Sequence, residues 1–158
     1  MKLNTSRFGE IDVSEELIFE LVEPILGYDS LTKFVLIDNA PESPFKWFQS
    51  AENGDIAFPV SFPALFGIDY EFVIPDDKSE KLGLKGVENL ITFNIVCIPP
   101  GKVEDATINL AGPIIINAEN KKGMQLVLGN IKYSVKQRLF PKQPSKQTEL
   151  ESAPETAK

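Results

Sequence analysis

Residues 106–127 of the chain read ATINLAGPIIINAENKKGMQLV. Two runs rich in β-branched residues, 107–110 and 114–116, are separated by the sequence Ala-Gly-Pro. Proline has no N–H group to donate to a ladder, so Pro113 is typical of the start or edge of a strand. The sequence Asn-Lys-Lys-Gly that follows is typical of a turn, and it leads into a further apolar run, 124–128. The stretch therefore predicts short strands joined by tight connections.

The rest of the chain has the same pattern of short apolar runs between Pro, Gly, Asn and Asp. The sequence predicts strands at residues 17–21, 34–37, 46–50, 56–60, 70–74, 90–98, 107–110, 114–117 and 125–128. Short helical turns are predicted at residues 62–66 and 79–84. We therefore expect an all-β, mainly antiparallel fold: one compact, barrel-like domain over residues 1–140. Residues 141–158 have almost no apolar content, so they are predicted to form a disordered tail.

The composition argues against most kinds of enzyme. The chain of 158 residues contains no His, which is the commonest general base and metal ligand. No glycine-rich phosphate loop occurs. Asp76, Asp77 and Glu80 lie close in sequence, but their spacing matches no calcium loop, so they predict a solvated turn. We predict a protein that is not an enzyme and that has no cofactor and no metal site.

The single cysteine and the apolar runs indicate a cytoplasmic protein. One cysteine excludes an intramolecular disulfide. Cys97 lies in an apolar run without a basic neighbour, so it is predicted to be buried and unreactive. The first residues contain no apolar leader, and no apolar run reaches the length of a membrane span.

The charge is distributed unevenly between the two halves of the chain. Residues 1–80 carry 16 acidic and 5 basic side chains, a net charge of −11, whereas residues 81–158 carry a net charge of +4. An acidic face would attract a basic partner and repel phosphate. The residues that would form this face if they lie together are Glu10, Asp12, Glu15, Glu16, Glu20 and Glu23. The alternative is a solvated acidic surface that only increases solubility. The candidate acidic contacts are Glu15, Glu16 and Glu20, and then Asp69, Glu71, Asp76 and Asp77.

Aromatic and amide side chains add further candidates. Trp47 and Phe48 form a possible interface anchor, or they alternate across a strand with one ring in the core. Tyr70, between two of the acidic candidates, is included in the predicted protein-binding surface. Asn109 and Gln125 are predicted to satisfy backbone groups of nearby loops.

Seven residues together resemble the signature of the FliW family of flagellar assembly factors: Thr107, Asn109, Leu110, Pro113, Asn117, Gly123 and Gln125. Matching pieces occur earlier, at residues 8–11, 45–50, 56–60 and 69–71. The resemblance implies a cytoplasmic protein that binds flagellin as a chaperone. It also implies that the free protein, expected to be a monomer, binds CsrA, a basic dimeric RNA-binding repressor of flagellin translation. No direct binding to nucleic acid or membrane is expected.

Two other hypotheses remain at this point. An OB-like barrel that binds single-stranded nucleic acid needs a basic groove with aromatic residues, whereas the aromatic-rich half of this chain is the acidic half. A hydrolase that uses paired carboxylates needs two of them to converge in a deep cleft.

Overall fold

The computed structural model describes residues 1–129 and 132–140, so the predicted tail lies outside the described residues. Within them the chain has one helix, α1 (Asp76–Leu82), and 3-10 turns at Glu15–Leu17, Pro63–Phe66 and Val103–Asp105. The strands of the described part are β1 (Lys2–Thr5), β2 (Gly9–Asp12), β3 (Phe19–Glu23), β4 (Lys33–Asp38), β5 (Lys46–Ser50), β6 (Ala57–Ser61), β7 (Leu90–Cys97), β8 (Thr107–Ile108), β9 (Ile114–Asn117), β10 (Lys122–Gln125) and β11 (Gln137–Arg138).

Seven strands close into a barrel in the order β3, β4, β5, β6, β7, β9 and β10, with β10 pairing back to β3. The pair formed by β10 and β3 is parallel, and the other neighbours in the barrel are antiparallel. The first half of β7 pairs with β9, while its last two residues pair with β8, which continues to β11. The hairpin of β1 and β2 forms a separate small sheet. The predicted mainly antiparallel all-β barrel is confirmed.

The isoleucine run of β9 is buried on both faces of the strand. Ile114 and Ile116 point into the barrel, where they join a core rich in phenylalanine. Ile115 points outward and packs against Leu82 of α1. A strand covered on both faces has a continuous apolar sequence rather than an alternating one. This explains why three consecutive isoleucines occupy the centre of the stretch quoted above.

Polar residues of the same stretch fix the loops around β9. The Asn109 side-chain oxygen accepts hydrogen bonds from the N–H groups of Ala111 and Gly112, at 2.9 and 3.0 Å. The Gln125 amide nitrogen donates to the Gly112 carbonyl at 3.1 Å, and its oxygen accepts from the Leu26 N–H at 2.8 Å. The prediction that these two amides satisfy backbone groups is confirmed.

The predicted strand at residues 70–74 is wrong. These residues are extended and alternate in burial, but they pair with no strand of the described chain. The physical reason is that the hydroxyl of Tyr133 occupies both backbone groups of Glu71. A side chain therefore stands where a neighbouring strand would lie.

Several boundaries also differ from the prediction. Leu17 ends a 3-10 turn, so β3 begins at Phe19. The last strand of the barrel begins at Lys122 instead of residue 125, because Gly123 fits between β9 and β3. The helix begins at Asp76 instead of residue 79, with two acidic residues in its first turn, where the helix dipole favours them. The hairpin of β1 and β2 was not predicted.

The prediction for the cysteine is wrong as well. Cys97 is exposed at the end of β7. Successive side chains of a strand point to opposite faces, and at this point the buried position belongs to Val96.

Candidate protein-binding surface

A groove of about 860 Å³ opens beside α1. One wall is the extended segment, which we define as residues 68–74. The other walls come from the turn Pro63–Phe66, the loop after α1 and the start of β7. Side chains that line it include Phe62, Pro63, Phe72, Leu84, Val87 and Leu90. Because most of these side chains are hydrophobic, we call this feature the apolar groove.

Two exposed valines lie at this surface. Val87 lines the apolar groove and exposes 78% of its surface, and Val73 of the extended segment exposes 83%. The side chains on either side of Val73, those of Phe72 and Ile74, pack instead against the core beneath α1. Apolar surface next to a concave site is a feature of sites that bind proteins or ligands.

Two tyrosine hydroxyls hold the extended segment in place. The Tyr133 hydroxyl accepts a hydrogen bond from the Glu71 N–H at 2.9 Å and donates one to the Glu71 carbonyl at 2.7 Å. The Tyr70 hydroxyl donates to the Leu110 carbonyl at 2.6 Å and accepts from the Asn94 amide at 3.2 Å. Burial raises the pKa of Tyr70 to about 12, so its hydroxyl stays protonated as a donor at neutral pH.

The other side of the groove is also tied to the barrel. The side-chain amide nitrogens of Asn117 and Asn120 each donate to the Leu82 carbonyl at 2.9 Å. These bonds satisfy a carbonyl at the end of α1 that lacks a partner within the helix. Asn117 belongs to the motif quoted above, and its role here is to fix the position of α1 beside the groove.

Acidic side chains lie on the extended segment and at the start of α1. Asp69 and Glu71 line the apolar groove from the extended segment, and Asp76 and Asp77 form the first turn of α1. All four side chains are exposed, and none of them forms an ion pair with any described residue. Of the predicted residues, Asp69, Tyr70 and Glu71 thus line the groove, and Asp76 and Asp77 lie on the helix that follows the extended segment. We call the four carboxylates the acidic rim.

Glu23 of β3 binds both lysines of α1. The Lys78 ammonium donates to both carboxylate oxygens of Glu23, at 2.7 and 2.9 Å, and the Lys81 ammonium donates at 3.0 Å. The hydrogen bonds from Lys78 and then Lys81 lower the pKa of Glu23, and the bond to Glu23 raises the pKa of Lys78. The cations of the helix are therefore used to anchor it to the barrel.

The predicted acidic face between residues 10 and 23 is interrupted by cations. Glu15 and Glu16 are exposed on the 3-10 turn before β3. Glu20 is exposed on β3, but it lies between lysines of both neighbouring strands. Its carboxylate is 4.0 Å from the Lys122 ammonium. Asp12 binds the N-terminal ammonium at 3.3 Å, and Glu23 binds the lysines of α1, so Glu10, Glu15 and Glu16 are the members of the predicted face without an ion pair among the described residues.

The two aromatic candidates alternate across β5. Phe48 is fully buried in the barrel core, so its side chain is withdrawn from any protein-binding surface. Trp47 is half-buried, with the Arg7 guanidinium 3.9 Å from its ring centroid. The Phe8 ring packs edge-on against it at 6.3 Å. The tip of the β1–β2 hairpin thus already covers part of the predicted anchor.

The part of the chain that the structure describes contains neither a metal-binding cluster nor a helix of membrane-spanning length. No group of three or more acidic or cysteine side chains there is arranged to hold a metal ion. Among the helical segments of residues 1–129 and 132–140, none is long and apolar enough to cross a lipid bilayer.

Sequence reasoning missed two groups that build this surface. Tyr133 lies 62 residues from Glu71, and no periodicity relates the two positions. Glu23 lies 55 residues from Lys78.

Comparison with known proteins gives consistent results. The model of the FliW protein family matches residues 2–139. The flagellar assembly factor FliW of Caldanaerobacter subterraneus subsp. tengcongensis is 45% identical over 137 residues, which cover 86% of this chain and 91% of that protein. The flagellar assembly factor FliW of Thermotoga neapolitana is 42% identical over 135 residues, which cover 85% of this chain and 91% of the relative.

A solved structure extends the similarity to three dimensions. The crystal structure of a flagellar assembly factor FliW superposes with a TM-score of 0.83 at 30% sequence identity. The superposition covers 90% of this chain and 99% of the other.

Proposed function

The chain belongs to the FliW family of flagellar assembly factors, and from this premise we propose that it works by switching between two protein partners in the cytoplasm. While flagellin accumulates, the protein binds it and acts as its chaperone. Once flagellin has been exported, the free protein binds CsrA, the basic dimeric RNA-binding repressor of flagellin translation. Capture of CsrA then relieves the repression.

The observation that carries the CsrA part of this proposal is the apolar groove with its acidic rim. Apolar lining supplies contact area for a protein partner, and four carboxylates without ion-pair partners among the described residues favour a partner of positive charge. A protein that binds RNA through cationic side chains has a positively charged surface of this kind. The net charge of −7 on the whole chain adds long-range attraction of the same sign.

The charge of the rim also suggests how binding opposes RNA. Four carboxylates placed next to an RNA site repel the phosphate backbone even when they do not occupy the position of a base. The Debye length at physiological ionic strength is about 8 Å, so the effect requires the rim to lie close to the bound RNA. By this route the protein inhibits RNA binding by CsrA without occupying the RNA site.

The same surface argues against the two other hypotheses. An OB-like binder of single strands needs cations along its groove, whereas the charged residues that line the extended segment here are acidic. A carboxylate hydrolase needs its two acids to converge within the cleft, whereas Asp69 and Glu71 are exposed at the rim.

Calorimetric titration of the purified full-length protein tests the proposal. We expect saturable binding of CsrA and of flagellin, and no binding of a short single-stranded RNA at physiological salt. Binding of the RNA alone would favour the OB-like hypothesis. The absence of heat with both proteins would contradict partner switching.

A further inference from the structure

One edge of the extended segment has no hydrogen-bonding partner among the described residues. In an extended chain, the N–H and C=O groups of successive residues point to opposite edges. The two groups of Glu71 point toward the Tyr133 hydroxyl. The groups of Tyr70, Phe72 and Ile74 therefore point to the opposite edge, and they form no hydrogen bond with any described residue. Backbone groups of this kind require water or a ligand as partner.

This free edge lies at the apolar groove and carries acidic side chains in place of lysine or proline. Tyr70, Phe72 and Ile74 all line the groove. Exposed edges are commonly protected by charged side chains, above all lysine, by proline or by a bulge. The extended segment contains neither lysine nor proline. Its two charged residues are Asp69 and Glu71, and these disfavour an acidic strand but favour a basic one through opposite-charge pairs across the strands.

We propose that the apolar groove takes up an extended segment of a basic partner protein, which adds as a β-strand along residues 70–74. The occupant has apolar side chains at alternate positions, which enter the groove, and Lys or Arg between them, which face the acidic rim. The inference rests on the proposed capture of CsrA and specifies how that partner is held. Main-chain hydrogen bonds supply the affinity, and the rim selects the charge.

NMR-detected amide exchange on the complex of the full-length protein with CsrA tests this geometry. Strand addition slows exchange by about tenfold or more at Tyr70, Phe72 and Ile74, while Asp69 and Val73, whose N–H groups face the other edge, keep their rates. A bound complex without this alternation would overturn the proposal. Perturbed methyl groups of Leu84 and Leu90 with unchanged amides would indicate a docked helix instead.

A synthetic peptide of alternating lysine and valine tests the groove independently of CsrA, with an alternating glutamate and valine peptide as control. We expect the basic peptide to bind and to give the same alternation of protected amides, and the acidic peptide to remain unbound. Equal binding of both, or of neither, would overturn the inference. Peptide binding without CsrA binding would contradict the proposed partner but support the groove.

A pair of matched variants completes the test. Val87→Arg places a cation in the groove and is expected to weaken binding of the basic peptide by about tenfold, because the cation displaces the valines of the added strand and repels its lysines nearby. Val103→Arg is the control: Val103 is 49% exposed on a 3-10 turn and does not line the groove. If both variants bind like the native protein, the occupant does not lie in the groove. A shift of the native protein to dimers that block the peptide would identify a second copy as the occupant.

Discussion

Replacing Tyr133 by Phe removes one oxygen atom and two hydrogen bonds from the wall of the groove. The hydroxyl bonds both backbone groups of Glu71, at 2.9 and 2.7 Å. A neutral hydrogen bond contributes about 0.5–1.5 kcal/mol net. Because Glu71 is exposed, water forms part of the hydrogen bonding that its backbone groups lose in the variant. We therefore expect Tyr133→Phe to lower the free energy of unfolding by about 1–2 kcal/mol. The ring still packs edge-on against Tyr70 at a centroid distance of 4.8 Å.

Urea denaturation followed by circular dichroism measures this loss, and the slope of the free energy with urea should stay unchanged. Tyr28→Phe is the matched control. The Tyr28 ring packs on Phe58 at 4.9 Å, but its hydroxyl bonds no described residue, so little change is expected. In Tyr133→Phe the Glu71 amide should also exchange faster. Equal stability of the two variants, with an unchanged Glu71 amide, would refute the role assigned to the hydroxyl.

Three further predictions concern the helix anchor, the barrel and the rim. Hydrogen bonds from its two lysines lower the pKa of Glu23 below its ordinary value of 4.5. The ionised carboxylate therefore stabilises the fold at neutral pH, and this stabilisation is lost as the pH falls through the folded-state pKa. In acid denaturation titrations, the difference in stability between the native protein and Glu23→Gln should vanish. Gly123→Ala places a methyl group 2.7 Å from an isoleucine side chain and should cost about 1–3 kcal/mol in thermal or urea unfolding. Gly129→Ala is the control and should be neutral, because the added methyl group has no atom of a described residue within 4 Å. Binding of CsrA should weaken as the salt concentration rises. The double variant Asp69→Lys, Glu71→Lys should slow association more than the double variant Glu15→Lys, Glu16→Lys on the 3-10 turn before β3. Association rates that do not depend on salt in stopped-flow experiments would count against the electrostatic argument.

The barrel could be predicted from local patterns because these patterns record burial. Short β-branched runs between glycine and proline indicated most of the barrel strands, and the run Ile114–Asn117 of β9 was placed at its correct bounds. The amides of Asn109 and Gln125 were correctly assigned to loop backbone groups, since polar side chains beside buried strands need partners close by.

The extended segment shows where local pattern is insufficient. Its alternation of half-buried and exposed residues is the same as that of a strand in a sheet. Whether such a segment joins a ladder depends on what lies beside it, and here the neighbour is the hydroxyl of Tyr133. That contact is made by tertiary folding and leaves no mark within the segment.

The acidic face shows the corresponding limit for charge. Counting charges along the chain placed six acidic residues between Glu10 and Glu23, but it could not show that the strand register sets lysines beside Glu20. Nor could it pair Glu23 with the lysines of α1. Asp69 and Glu71 line the groove because the extended segment forms one of its walls, and a count of charges does not give that placement.

The central claim, that one protein switches between two partners, is tested most directly by linkage. CsrA is titrated calorimetrically into the full-length protein in the absence and in the presence of saturating flagellin, and flagellin is titrated with and without CsrA. Partner switching predicts that each protein weakens the binding of the other, and by the same factor, because the coupling free energy is shared by both. Affinities for CsrA that are unchanged by saturating flagellin would contradict the account.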